Sequence, residues 1–321
     1  VRLVSADSAT VLVTGATGFV GSHVVEALLD AGHIVRCTVR RTSDTRWLDG
    51  LDVERVEADM RRREALEEAV RGAASVVHLA GVTRASRPDL YRRVNGDGTA
   101  RLGEAAVEAG VGRFVYVSSL AARGPDGAEG PVSEYGASKR EGEERLRGMR
   151  DRVEVVVLRP GGVYGPRDED LLPLFRAAAR GWLVAPSGGS VLQPVYASDV
   201  ARAVLSALEG DAGFGPFPLA EEGVYDWPAI GDAMAAAFGH AVRLVRLPAG
   251  AFEGVGVVAQ TLWRLAGRAP PLDRRRARDV ARHRWTCDPG PSERALGWRA
   301  GVALPEGLRR SVEWYREAGW L

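Results

Sequence analysis

The chain has 321 residues, 45% of them hydrophobic and 26% charged, with a formal net charge of +1. That length and balance describe a globular chain able to bury one large core or two smaller ones. Near-neutrality removes a global electrostatic case for nucleic acid or a membrane surface, and no apolar run reaches the roughly 18 residues of a spanning helix.

In chain order, the opening "VRLVSADSA" lacks the basic-then-apolar order of a signal peptide. "TVLVTG" (10–15) reads as a buried strand, and "FVGSHVVEALLDAG" (19–32) as a helix that stops at a glycine. Further strands are expected at 33–40, 53–58, 75–81, 113–119 and 153–160, with helices near 62–72, 88–110 and 136–150. This alternation predicts an α/β fold, a doubly wound parallel sheet covered on both faces. After about Gly165 the rhythm weakens. A helix at 171–181 and a strand plus helix at 191–210 are expected there. Residues 1–168, with 191–210 returning to them, would form the sheet domain. Residues 169–321 would form a smaller, mixed, mainly substrate-binding lobe.

"RRRARDVARHR" (274–284) is interrupted by Asp279 and preceded by Asp273, and reads as a solvated helix face rather than a nucleic-acid patch. Trp182, Phe214, Phe217, Trp227 and Phe252 are candidates for core packing or an apolar pocket. Cys37 and Cys287 are the only cysteines, too few for a disulfide framework, and point to a reducing, cytoplasmic setting.

Gly15, Gly18 and Gly21 form G-x-x-G-x-x-G between the first strand and the first helix. Such a turn lets backbone approach a pyrophosphate, and the helix N-terminus offers free N–H groups, so Thr17, Phe19 and Val20 join the glycines as cofactor contacts. The second strand ends Val39-Arg40-Arg41, without the acidic residue that accepts from the adenosine ribose of NAD. Two arginines suit a 2′-phosphate, so NADP is expected, with NAD the alternative.

Lys and Arg total 43, and only one of them, Lys139, is a lysine. It lies four residues after Tyr135, on the same face of an expected helix. An ammonium favours the phenolate of a neighbouring tyrosine and lowers its pKa. A compact ammonium can do this while reaching a ribose hydroxyl, where a planar guanidinium cannot.

The motifs "TGATGFVGSH" (14–23), "EADM" (57–60), "VVHLAG" (76–81), "VNGDGT" (94–99), "YVSS" (116–119), "YGASK" (135–139), "RPGGVYGP" (159–166) and "PVYASDVARA" (194–203) occur in family order. With them the chain resembles an extended short-chain dehydrogenase/reductase, the group of NAD-dependent epimerases and dehydratases, dihydroflavonol reductases and 3β-hydroxysteroid dehydrogenases. The resemblance implies a Rossmann fold. It implies that Tyr135 is the acid/base, that Lys139 tunes it and holds the nicotinamide ribose, and that Ser119, or its neighbour Ser118, bonds the substrate oxygen. Asn95, the only asparagine, would support the lysine. Asp59 and Met60 would flank the adenine, Ala80 and Gly81 would let the cofactor pass, and Pro160, Gly162 and Val163 would border the nicotinamide. Asp199 would cap the helix that follows the last strand.

No metal site is expected, and a homodimer through the helices at 88–110 and 136–150 is what the resemblance suggests. The segment between Ser119 and Tyr135 is short, and "GGSVLQPVYASD" (188–199) lacks the Arg-Asp pair common in sugar-nucleotide epimerases. The expected activity is therefore an NADP-dependent interconversion of a ketone and a secondary alcohol on a small molecule. A nucleotide-sugar epimerase or dehydratase and a non-catalytic NADP-sensing scaffold are the alternatives.

Overall fold

The computed structural model describes residues 9–85, 87–265 and 274–321. Residues 1–8, Pro270, Pro271 and Asp273 lie outside the described residues. Six strands fall where the apolar runs predicted them: β1 (Thr10–Thr14), β2 (Ile34–Val39), β3 (Val53–Glu57), β4 (Ser75–His78), β5 (Arg113–Val117) and β6 (Glu154–Pro160). A seventh, β11 (Phe217–Leu219), completes a parallel sheet of order β11-β6-β5-β4-β1-β2-β3. β11 was not legible in sequence, being three residues long and holding a proline, a composition that reads as a loop or an edge strand.

Alternate side chains leave the two faces of the sheet. Val11, Val13, Val77, Val115 and Leu158 pack under α1 (Phe19–Asp30) and α7 (Ala197–Glu209). Leu12, Val76, Phe114 and Val157 pack under α2 (Arg63–Val70), α4 (Asp97–Glu108) and α5 (Glu134–Arg147). Cover on both faces is why the central strands are rich in Val, Leu and Phe on successive residues. The helix expected at 88–110 is α3 (Asp89–Tyr91), a π turn (Arg92–Gly96) and α4 in succession.

The second lobe carries three short pairs: β7 (Gly162–Tyr164) with β10 (Pro194–Tyr196), β8 (Trp182–Pro186) with β13 (Arg243–Leu247), and β9 (Val191–Leu192) with β12 (Tyr225–Asp226). Its core gathers Tyr164, Phe175, Ile230, Met234, Leu308 and Tyr315 between α6 (Leu172–Ala179), α8 (Trp227–Phe238) and α12 (Leu304–Glu317). α9 (Ala249–Leu265) and α10 (Arg274–Arg282) pack on each other, and α11 (Gly290–Leu296) lies beside β11. Among the described residues, no helix is long and apolar enough to cross a membrane.

Asp199 does not cap its own helix. It is the third residue of α7, and its carboxylate instead accepts from the backbone N–H groups of Gly301 and Val302 at 3.0 Å each. That bond ties the chain's closing segment to the sheet domain. The arginine run is helical as expected, with Arg274, Arg278 and Arg282 gathered around the Glu253 carboxylate of α9.

Candidate active site

The glycine loop sits at the carboxyl end of β1, where the strand order reverses between β2 and β4, the usual crevice of an open α/β sheet. Gly15 has φ +76°, and a Cβ there would stand 2.6 Å from the Ala80 backbone nitrogen. A Cβ on Gly21 would stand 2.1 Å from the Gly15 carbonyl oxygen. The loop therefore tolerates no side chain at either position. Gly18 is the N-cap of α1, with no side-chain cap and no acidic residue in the first turn. The amides of the helix start are left for an anion, and Thr17, Phe19 and Val20 lie at this mouth.

Arg40 and Arg41 are exposed at the end of β2. Asp59, just past β3, is held by a two-point pair with Arg61 at 2.9 and 2.7 Å, which brings its pKa down to about 2. The Arg40 charge also lowers the Asp59 pKa. Met60 is buried against Gly98. Ala80 and Gly81 follow β4, and a Cβ on Gly81 would meet Asn95 Oδ1 at 3.0 Å and Lys139 Nζ at 3.8 Å. Pro160, Gly162 and Val163 lie at the end of β6 and the start of β7, with the two last on the wall of a cavity.

Tyr135 and Lys139 lie on one face of α5, which opens with Ser133 as N-cap, its hydroxyl accepting from Gly136 N at 3.1 Å. Ser119, two residues past β5, caps the short turn that follows, its hydroxyl accepting from Ala121 N at 3.2 Å. Burial pushes the Tyr135 phenol pKa up, and the Ser119 hydroxyl and the Arg276 charge pull it back down. Lys139 is 3% exposed. Its Nζ donates to the Val117 carbonyl at 2.8 Å and stands 4.5 Å over the Tyr116 ring. Burial lowers its pKa to about 7, with Glu143 opposing the shift. Asn95, fully buried in the π turn, accepts from Val82 N at 2.7 Å and donates to Val82 O and Ser138 Oγ at 3.0 Å each. It braces the loop that carries Gly81. π turns of this kind recur at functional sites.

Ser118 and Ser119 divide their work. Ser118 Oγ donates to Glu143 at 2.5 Å, and Glu143 is also clasped by Arg159 at 2.9 and 2.5 Å. Ser118 is thus committed to a buried ion pair, and Ser119 lies on the cavity wall. The sequence reading missed Glu143, although its position four residues beyond Lys139 placed it on the same helix face. It also missed His78, which bridges Thr14 and Thr99 at 2.6 and 2.8 Å beneath the site.

A cavity of about 390 Å³ opens beside Ser119, Gly162 and Val163. Its walls are apolar, from Leu171, Leu174, Phe175, Ile230, Met234 and Leu308. Of the five aromatics named from sequence, Trp227 alone lines it. Trp182 is exposed, Phe214 packs under Arg147, Phe217 is in β11, and Phe252 is buried with Ala277 and Ala281. Gln193, buried, spends its amide on Glu221 O at 2.6 Å and on Cys287 N at 2.9 Å.

The model of the NAD dependent epimerase/dehydratase family matches residues 11–216. A ceramide reductase of Caulobacter vibrioides is 35% identical over 313 residues, covering 97% of this chain and 96% of the relative. A 2-alkyl-3-oxoalkanoate reductase of Stenotrophomonas maltophilia is 30% identical, covering 94% and 97%. The crystal structure of a Thermus thermophilus UDP-glucose 4-epimerase in complex with NAD superposes with a TM-score of 0.75 at 27% identity, covering 96% of this chain and 99% of that one. With the Rossmann sheet, the glycine cradle and the Tyr135–Lys139 face already in place, these matches show that the chain belongs to the NAD-dependent epimerase/dehydratase family, as an NAD(P)-dependent oxidoreductase of the extended short-chain dehydrogenase/reductase type.

Proposed function

We propose that the protein is an NADP(H)-dependent reductase of an apolar ketone, running reversibly to the secondary alcohol. One observation carries this reading: Ser119, whose hydroxyl draws the Tyr135 phenol pKa down, lies on the wall of a cavity whose lining is mostly hydrocarbon. When bound, the nicotinamide supplies or takes the hydride. Ser119 orients the carbonyl oxygen, and Tyr135 gives that oxygen its proton as the ketone is reduced and removes it in the reverse direction. Lys139 holds the ribose and favours the phenolate, and Asn95 braces the loop after Gly81 through its two bonds to the Val82 backbone.

The two reductases among the relatives, one named for ceramide and one for 2-alkyl-3-oxoalkanoate, support a long-chain oxo compound as substrate. A nucleotide-sugar substrate is less well served. The segment that lacks the Arg-Asp pair puts Leu192 and Gln193 on the cavity wall, and the Gln193 amide is already used. The test is nicotinamide absorbance with long-chain 3-oxo compounds set against nucleotide sugars. Turnover of the sugars alone rejects the reading. Leu174→Trp, which fills the cavity, is expected to raise KM for the long-chain ketone at least roughly tenfold while leaving cofactor affinity unchanged.

The proposed cofactor is NADP(H), because Asp59 is already paired with Arg61 and Arg40 stands exposed beside it. Calorimetry is expected to show tighter NADPH than NADH binding. Arg40→Ala should lose roughly tenfold in NADPH affinity and little in NADH, the worth of one charge-assisted bond. An unchanged ratio would exclude the role. We propose a reducing cytosol as the compartment, with both cysteines free, and a homodimer formed through α4 and α5. Sedimentation at micromolar concentration should give twice the 34.4 kDa chain mass.

A further inference from the structure

The near-neutral total of the chain conceals a local excess of charge. Residues 249–284 hold eight arginines against three carboxylates, Glu253, Asp273 and Asp279, so the rest of the chain is net negative. α9 and α10, packed on each other, carry most of this excess. Phe252 and Glu253 of α9 turn inward. Phe252 is buried with Ala277 and Ala281 of α10, and the Glu253 carboxylate is shared by Arg274, Arg278 and Arg282. The opposite side of α9 faces water. Among its described residues 250–261, those that are exposed are Gly, Ala, Val and Thr only, and Val255, Val257 and Val258 are 37%, 43% and 60% exposed. A surface helix normally turns its charged side to water and its apolar side to the core. Here three valines stand outside, and the neighbouring helix carries a row of half-exposed guanidiniums, one per turn.

We propose that this outer face of α9, flanked by the α10 arginines, docks the protein on an anionic lipid bilayer. Valines entering the boundary between headgroups and acyl chains supply the apolar part, and the arginines beside them meet lipid phosphates. Charge decides against a second copy of the chain as the occupant. Two copies seated on this face about a two-fold axis would bring two arginine-rich helix pairs together, at the cost of like-charge repulsion. An acidic surface is what the pair complements. The docking face also adjoins the substrate cavity. Val280 of α10 and Trp285 just beyond it line the apolar cavity beside Ser119. α10 thus forms part of the cavity wall while α9 presents the docking face, and a long-chain ketone dissolved in the bilayer would have a short path to its site. That benefit rests on the substrate reading above. The docking itself does not.

Vesicle flotation reads the docking without substrate or cofactor. The chain is expected to float with phosphatidylcholine vesicles that contain about 30% phosphatidylglycerol, in about 0.1 M salt. It should bind pure phosphatidylcholine vesicles, or the anionic ones in about 0.5 M salt, at least roughly tenfold more weakly. Val255→Asp combined with Val258→Asp should cut binding roughly tenfold or more, with thermal melt and cofactor affinity unchanged because both side chains stand in solvent. Arg274→Gln combined with Arg278→Gln should weaken binding to the anionic vesicles by roughly tenfold. Arg282 still pairs with Glu253 in that variant, at 2.7 and 2.6 Å, so the fold is kept. Absence of the chain from floated anionic vesicles overturns the proposal, as does equal, salt-insensitive binding to neutral vesicles or wild-type binding by the two-aspartate variant. If that variant instead halves the mass seen in sedimentation without lipid, the face belongs to a second copy and the proposal fails. Turnover of nucleotide sugars alone, which rejects the substrate reading, leaves the flotation outcome as it is.

Discussion

Lys139→Arg is expected to lower kcat at least about 100-fold while keeping a positive charge, within the usual range for lost acid–base assistance. The ammonium fills a slot bounded by the Val117 carbonyl at 2.8 Å, the Tyr116 ring at 4.5 Å, and Gly81. A guanidinium is larger and planar, and forcing it into a packed interior costs about 1–3 kcal/mol of strain. Lys139→Met should lose activity to a similar degree and raise the catalytic pKa, because the phenolate loses a cation. Its stability should move the other way. Burial depresses the lysine pKa from 10.5 to about 7 in the folded chain. The cost of that buried charge is full below pH 7 and disappears as pH rises to 10.5, where the unfolded chain also releases the proton. Lys139→Met relieves it, less about 1 kcal/mol for the donor lost at Val117. Its Tm gain over wild type is therefore greatest at pH 6 and narrows toward pH 10. A flat difference across that range, or an Arg variant with wild-type kcat, contradicts the assignment.

Gly21→Ala is expected to be nearly as severe, for a steric reason. Its Cβ would lie 2.1 Å from the Gly15 oxygen and 2.8 Å from the Gly15 carbonyl carbon, both backbone atoms that no rotamer change can move aside. The turn between β1 and α1 must open, which should cost about 3 kcal/mol or more and weaken cofactor binding at least roughly 100-fold. Gly32→Ala is the control. Gly32 also has a left-handed φ, +89°, yet nothing lies within 4 Å of its Cβ position. It should lose only about 1 kcal/mol and bind cofactor as wild type does. Calorimetric affinity and thermal melts of the two variants decide the matter. Equal affinities would mean that the loop does not cradle the pyrophosphate.

Local pattern made much of the sheet domain readable. The central strands are rich in Val, Leu and Phe because helices cover both faces, and such runs stand out against the amphipathic helices between them. The glycine loop and the Tyr135–Lys139 spacing were legible because their geometry is local, a turn and one helical step. Asp199 was misread for the opposite reason. Its position at the start of α7 suggested a cap, and only the fold shows that 301–302, about a hundred residues later, compete successfully for its carboxylate.

The sequence by itself determined the parallel sheet, the glycine turn between β1 and α1, and the helix face on which Tyr135 and Lys139 stand, since each follows from periodicity or spacing within a few turns of chain. Only the tertiary structure decided that Ser118 belongs to Glu143 and Arg159 while Ser119 lies on the cavity wall, and that β11 closes the sheet. It alone showed the apolar cavity beside Ser119, because most of that lining comes from separate segments of the second lobe. Those features join residues far apart in the chain, and no short-range pattern encodes which distant group wins a given hydrogen bond or wall position once burial makes every unsatisfied polar atom costly.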